Sequence, residues 1–539
     1  MISAADDTSG EARSAVAATP EIREALDLQA TAELSAPASS ELAEIPEAVV
    51  RPETGELDRE RLAREPVERR RTLLEPWLRQ AAAAALGVGA ARLDAGQPLS
   101  AYGLDSLAAV EVQSRLQTAL GVEVGIAELL AGASLDDLAA AALASIGAPI
   151  EGTPEGGPGG SPQVGPEAEG PATGRFPLAP NQQALWFIHR LAPRGLAYHL
   201  AGAARVESPI DHAALGRALA ALVERHPALR TRFAEDGEGP WQEIGERGAC
   251  ELVELAAAAP DEDEAALVAR LRAAAWRPFD VERGPLLRVG LLPDARPGAA
   301  SAGLLFLAVH HLVADFWSLQ VMVRDLGALY ARESREHPEP EGRREPLPPL
   351  GLRYTDFARW QRQRLAGGEG ERLWDHWRQA LGGAPPPRLA LPVDRPWPKV
   401  QTWPGAAHEL VLPEALTVGL EGVGRAQGAT LFMVLLAGFQ ALLARTTGAA
   451  TVAVGSPTHG RSGRGGAALA DLVGYFVNLV PLVAAVDGDG TFAGLLAAVR
   501  ATALAAYEHQ EMPLAVLAER LLPERDPARS PLFDVVFAF

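Results

Sequence analysis

Two imidazoles and a carboxylate fall within six residues at His310-His311-Leu312-Val313-Ala314-Asp315. Imidazole is the side chain whose ordinary pKa lets it take or give a proton near neutrality, so general acid–base chemistry is the first reading. The elements around the motif are legible too. Leu304-Leu305-Phe306-Leu307-Ala308-Val309 is an unbroken apolar run, as expected of a strand buried on both faces. After Asp315 the period changes, and Leu319, Met322, Val323, Leu326 and Leu329 recur at helical spacing. Strand, short loop and helix thus place the three groups where a core strand ends. Successive strand side chains point to opposite faces, so His310 and His311 enter different environments. That disfavours a metal site built from both rings and Asp315. Taken alone, the six residues fit a second reading equally: two satisfied core histidines and an aspartate that caps the helix.

The surrounding motifs favour chemistry. HHLVADFWS resembles the HHxxxDG signature of condensation domains of nonribosomal peptide synthetases, and other stretches match in the expected order. Phe176-Pro-Leu-Ala-Pro-Asn-Gln-Gln-Ala-Leu-Trp186 resembles the opening motif, and Arg225-His226-Pro-Ala-Leu-Arg230-Thr-Arg232-Phe233 the second. Tyr354-Thr-Asp-Phe-Ala-Arg-Trp360, Gly455-Ser-Pro-Thr-His-Gly-Arg461, Val473-Gly-Tyr-Phe-Val-Asn478 and His509-Gln-Glu-Met-Pro513 follow in turn. The resemblance covers residues 175–539.

An upstream helical unit carries a second signature. Leu73, Leu74, Trp77, Leu78 and Ala81 form a stripe on a first helix running to Gly87, and Leu107, Val110, Leu116 and Leu120 one on a second. Short closing helices follow, with Ser134 as N-cap and Asp137 three residues on. Gly103-Leu104-Asp105-Ser106-Leu107 is similar to the carrier-protein motif, in the GxDSL form common in acyl carriers. The resemblance implies a 4′-phosphopantetheine esterified to Ser106, its thiol bearing the substrate. A serine at a helix start suits this, because the phosphodiester meets unpaired N–H groups and the positive end of the dipole. Read without the resemblance, Asp105 or Ser106 is a helix cap.

The implied fold is multidomain, in five segments. Residues 1–60 form a disordered tail or linker, 61–147 a small four-helix-type carrier, and 148–174 a Gly/Pro-rich linker. Residues 175–385 and 386–539 form the N- and C-lobes of an α/β, chloramphenicol-acetyltransferase-like condensation domain, with HHLVAD at their junction and a tunnel between them. Leu532 to Phe539 resembles an internal strand, so the second lobe is expected to be incomplete. Residues 151–174 hold eight Gly and five Pro among 24, a flexible coil spanning on the order of 25–30 Å.

The implied reaction is amide formation. The amine of an aminoacyl group on a downstream carrier attacks the acyl thioester on Ser106, after an upstream module has loaded it. A phosphopantetheinyl transferase is the further partner. The resemblance gives His311 the role of base or orienting group, with His310 facing away to support the loop. Asp315 is expected to be structural and paired with Arg461. Ser318 and Asn478 are candidate lining residues that read equally as turn or cap residues. Phe316 departs from the family, which has Gly there, and is expected to reshape the donor channel or tighten the loop. An epimerisation domain and a catalytically silent docking platform are the competing readings. Gly455–Arg461 and Gly474–Asn478 fit condensation better than epimerisation.

Composition sets limits. The chain has 539 residues, 48% hydrophobic and 22% charged, as in a soluble multidomain protein. A formal charge of −20 disfavours nucleic acid. Fourteen acidic residues against four basic ones in residues 1–60 account for half of it. Cys250 is the only cysteine, which rules out intrachain disulfides and suits a cytoplasmic setting. Met1-Ile-Ser-Ala-Ala-Asp-Asp lacks a signal-peptide pattern, and the apolar stretch from Leu431 to Ala444 is too short to span a membrane. No phosphate-cradling loop, GxSxG or zinc-like cysteine pair is present, so neither ATP-dependent activation nor product hydrolysis has a recognisable module.

Overall fold

The computed structural model describes residues 59–147 except 87, 103, 105, 121, 123, 125–128, 130 and 131. It also describes residues 166–539 except 169, 295, 297–301, 335–346, 462–465, 523, 525 and 527. The expected tail up to residue 58, the linker 148–165, Gly103, Asp105 and the side chain of Ser106 lie outside the described residues.

The first unit is built from α1 (Val67–Leu86), α2 (Ser106–Leu120) and α3 (Leu135–Gly147). Leu74, Leu78, Leu116, Leu120 and Leu138 are fully or nearly fully buried and supply its core, whereas Leu73 is exposed and leaves the expected stripe. Ser134 and Asp137 close α3 reciprocally, through Ser134 N–H to Asp137 Oδ2 (2.9 Å) and Asp137 N–H to Ser134 Oγ (3.2 Å).

The second unit begins with β1 (Gly174–Pro177) and α4 (Pro180–Leu191), then β2 (His199–Val206) and α5 (His212–Arg225). There follow β3 (Thr231–Asp236), β4 (Gly239–Ile244), β5 (Glu251–Glu254), α6 (Glu264–Ala275), β6 (Leu287–Pro293), β7 (Gly303–His310) and α7 (Phe316–Glu333). One sheet runs β2-β7-β6-β5; a smaller one runs β1-β4-β3. The apolar run forms β7, flanked by antiparallel β2 and β6, with nearly every side chain buried. A strand with neighbours on both edges and covered faces has no solvent side, which explains why its sequence does not alternate.

Helices α8 (Tyr354–Ala366) and α9 (Gly368–Ala380) lead into a strandless stretch over residues 384–413. Then come α10 (Glu414–Ala426), α11 (Leu431–Thr447), β8 (Thr451–Thr458), β9 (Asn478–Ala485), α12 (Phe492–Glu508) and α13 (Leu514–Leu521). Strands β8 and β9 pair antiparallel. The expected strand at 532–539 is instead a single parallel bridge, Gly455 to Val536, made by Gly455 N–H to Val535 O (2.9 Å) and Phe537 N–H to Gly455 O (2.8 Å). Leu532 sits at φ 65°, a turn conformation that stops a straight strand entering earlier.

A separate small core joins the two halves of this unit. Ala179, Leu352, Tyr354, Phe357 and Ala358 pack there with Leu469, Leu472 and Phe476. Among the described residues, no single helix is long and apolar enough to cross a membrane.

Candidate active site

The paired histidines part company at the end of β7. His310 is its last residue, 2% exposed, with Nδ1 accepting the N–H of Leu312 at 3.1 Å. Its ring lies edge-on to His189 (5.5 Å between centroids), His199 (5.6 Å) and Phe279 (6.4 Å). Burial, reinforced by the neighbouring imidazoles, holds its pKa well below the usual value, so the ring packs as a neutral group.

His311 has left the strand. Its N–H donates to Tyr198 O (2.9 Å), and Nδ1 lies 2.7 Å from Ala314 O. A carbonyl can only accept, so Nδ1 carries the proton and Nε2 is left with a lone pair. The ring is partly exposed and stands perpendicular to Tyr475, 4.9 Å between centroids. Burial lowers its pKa against the opposing pull of Ala314 O and Asp315. The result is a neutral, accessible imidazole with one free nitrogen, the state a general base requires.

Asp315 turns away from that nitrogen. It is 3% exposed and caps α7, with Oδ1 accepting Ser318 N–H at 2.8 Å and lying 2.7 Å from Ser318 Oγ. Oδ2 accepts Arg461 Nη1–H at 2.8 Å and Phe476 N–H at 3.1 Å. Arg461 Nη2 donates to Ser318 Oγ (2.9 Å) and Leu472 O (3.2 Å), and its guanidinium lies 4.1 Å from the Phe476 ring centroid. Ser318 Oγ also accepts Gly474 N–H at 3.1 Å. Burial by itself would raise the Asp315 pKa; Arg461 and the Ser318 donors outweigh it and hold the carboxyl ionised. Glycine is required twice here. A Cβ at Gly474 would lie 2.2 Å from Tyr354 Cδ2, and Gly460, at φ +66°, would place one 1.9 Å from Phe476 O.

The structure brings together His311, Asp315, Ser318 and Arg461. His310 packs among aromatic rings and Asp315 pairs with Arg461, so neither reaches the accessible space. The lining positions expected of Ser318, Asn478 and Phe316 are corrected. Ser318 is 0% exposed and lines nothing. Asn478 has its polar atoms on protein partners: Nδ2 donates to Gln510 O (2.9 Å) and Met512 O (2.7 Å), while Oδ1 accepts from Asn181 Nδ2 (3.0 Å) and Leu514 N–H (3.0 Å). It ties α4 to the loop before α13 and is not a free lining group. Phe316, the first residue of α7, is 72% exposed, so its ring projects from the helix and does not plug the site.

Sequence reading missed the aromatic side of the site. Tyr475 faces His311, and Tyr198, whose carbonyl holds the His311 backbone, packs edge-on against Trp403 at 5.7 Å. The available signal was position: Tyr475 lies inside the Val473–Asn478 motif, and Trp403 lies in the strandless stretch over residues 384–413. Gln182 of the opening motif was also missed; its Nε2 donates to Leu312 O at 2.9 Å and pins the histidine loop. The second motif is a clamp. His226 Nε2 lies 3.0 Å and Arg225 Nε 2.8 Å from Asp325 Oδ2, anchoring α5 to α7.

Comparison with known proteins decides what this geometry belongs to. The family model described as condensation domain matches residues 172–539. The chain belongs to the condensation-domain family. A phosphopantetheine attachment site model matches residues 76–142, so a carrier precedes the condensation domain. One of the linear gramicidin synthase proteins of Brevibacillus parabrevis is 38% identical over 442 residues, which cover 80% of this chain and 5% of that protein. Phosphinothricin tripeptide synthetase PhsC of Streptomyces viridochromogenes is 38% identical over 374 residues, covering 69% of this chain and 33% of that protein. The chain thus spans at most a third of either relative. Among solved structures, the X-domain in the complex of the X-domain and OxyB from teicoplanin biosynthesis aligns with a TM-score of 0.57 and 27% identity, over 69% of this chain and 78% of that one.

The carrier implies a covalently attached 4′-phosphopantetheine. The described backbone fits it, because Ser106 is the first residue of the 15-residue helix α2. A phosphodiester on that residue would meet the orphan N–H groups and the positive dipole end. When attached, the group supplies a thiol that carries acyl cargo as a thioester. In the condensation domain the partly exposed His311 stands beside a buried, ionised support, Asp315 with Arg461.

Proposed function

We propose that this chain is a working donor-carrier and condensation pair that transfers an acyl or peptidyl group from the thioester arm on Ser106 to the amine of an aminoacyl group on a downstream carrier. The reading takes residues 61–147 as the carrier and 175–385 and 386–539 as the two lobes of the condensation domain. An upstream loading module and a phosphopantetheinyl transferase are its partners. One observation carries it: His311 alone of the pair is accessible, with Nδ1–H committed to Ala314 O and Nε2 free. As the amine attacks the thioester carbon, Nε2 takes the amine proton, and the imidazolium returns it to the departing sulfur. Thiolate is a good leaving group, so holding two tethered reactants in near-attack geometry supplies most of the acceleration, worth up to ~7–11 kcal/mol. Proton transfer by His311 adds a further ~10²–10⁴-fold.

The test uses the full chain. Treatment with a phosphopantetheinyl transferase and coenzyme A should add one pantetheine mass, lost in Ser106→Ala. With both carriers loaded, His311→Ala should slow amide formation by about 10²-fold or more. An unchanged rate refutes the assignment.

A docking platform is the second reading, favoured by the likeness to an X-domain solved in complex with OxyB. It expects partner capture by the His311→Ala protein and no amide product from the wild type.

A further inference from the structure

Beyond His311, the reaction needs a group that accepts the charge pushed onto the thioester carbonyl oxygen. Tyr475 is placed for that task. Its ring stands against the His311 imidazole at 4.9 Å and 74°. Its side chain is half-buried, and among the described residues its hydroxyl has no hydrogen-bond partner. The Tyr198 hydroxyl is likewise without a partner among the described residues, but its ring is held by Trp403 and touches His311 only through its backbone. The backbone around Tyr475 is clamped on both sides. Gly474 N–H is bound by Ser318 Oγ and Phe476 N–H by Asp315 Oδ2, and Tyr475 O accepts from the Tyr354 hydroxyl at 2.8 Å. The buried Asp315–Ser318–Arg461 network thus fixes the loop that carries Tyr475, and with it the phenol ring beside His311. Burial, and then the neighbouring Tyr198, raise the Tyr475 pKa, so it stays a donor throughout the neutral range.

Resting on the amide-forming reading above, we propose that Tyr475 is a catalytic residue whose hydroxyl donates a hydrogen bond to the thioester carbonyl oxygen as it becomes an oxyanion. The amine nitrogen forms its bond to the carbonyl carbon, and the C=O pair moves to oxygen under the phenol O–H. The amine proton passes to His311 Nε2. The oxygen pair then re-forms the carbonyl, the C–S bond breaks, and the sulfur leaves with the proton returned by His311. Tyr475 keeps its proton throughout.

The test measures single-turnover amide formation between loaded carriers in the full chain. Tyr475→Phe keeps the ring against His311 and removes only the donor. Its kcat should fall on the order of 10²-fold with KM for the acceptor carrier unchanged and an unaltered melting curve. Tyr198→Phe, measured alongside, should cost less than Tyr475→Phe. Fluorotyrosine at 475 gives a second readout: a more acidic phenol should move the alkaline loss of activity to lower pH, which a packing role would not do. His311→Ala is run in parallel. If His311→Ala loses activity while Tyr475→Phe keeps it, or the fluorotyrosine profile does not move, the Tyr475 role is overturned and the amide-forming reading survives. If neither variant loses activity, both fall.

Discussion

Arg461→Ala tests how the site is held. Arg461 is 3% exposed, and its guanidinium donates to Asp315 Oδ2, Ser318 Oγ and Leu472 O while lying against the Phe476 ring. Truncation leaves the Asp315 carboxylate buried with hydrogen bonds from Ser318 and Phe476 but no cation. Removing one partner of a buried pair costs about 3–5 kcal/mol, a large share of the ~5–15 kcal/mol that holds a domain together. The pH dependence carries a sign that can be checked. In the wild type the Asp315 pKa is depressed, so its contribution is present above the unfolded value of 3.8 and is lost as pH falls through the lower folded value. Without Arg461 the burial that opposes ionisation is uncompensated, and the folded pKa rises above the unfolded one. The variant's deficit should therefore shrink as pH falls from 7 towards 5. Urea melts of wild type, Arg461→Ala, Asp315→Asn and the double variant at both pH values give the cycle. The double variant should cost clearly less than the sum of the singles. A single-variant loss below about 1 kcal/mol, additive costs, or a deficit that grows with acid would refute the reasoning.

Other consequences follow from the same geometry. Because burial lowers the His311 pKa, NMR titration of its ring protons in the full chain should place the midpoint below the ordinary imidazole value of 6.5. A midpoint at or above 6.5 would contradict this. Phe316→Gly removes a ring that is 72% exposed, so chemical melts should show a loss of no more than ~1 kcal/mol, the helix cost of glycine, and turnover should change less than about threefold. A large gain in rate would mean that the ring obstructs the donor. Asn478→Ala leaves Gln510 O, Met512 O and Leu514 N–H without their partner, so a loss of about 2–4 kcal/mol is expected in urea melts.

Local pattern made part of this site readable. The β7 run and the change of period after Asp315 follow from strand and helix geometry, and the structure shows both. His310 and His311 do enter different environments, but because the strand ends between them and not by strand alternation. The roles of Ser318 and Asn478 were not readable in that way. Both are small polar residues whose sequence context fits a turn, a cap or a pocket wall alike, and only their distant partners decide among these. Ser318 meets Gly474 and Arg461, more than 140 positions away, and Asn478 meets Asn181, 297 away. The exposure of Phe316 was equally hidden, because the rotation of a helix's first residue depends on how its cap is seated.

Directed long-range bonds supplement the small apolar core that joins the two halves. Helix α7 is fastened at its start by Asp315 to Arg461 and further along by Asp325 to His226 and Arg225, while Arg324 reaches Asp471 at 2.8 Å. Apolar packing of the same area is tolerant of small slides, since contact energy changes little with register. Ion pairs and backbone clamps with defined directions are not. A site whose proposed base follows one strand end and whose facing phenol stands on a loop far along the chain needs that stricter fastening. The joint therefore uses buried charge, at a cost in desolvation, to fix the spacing between His311 and Tyr475.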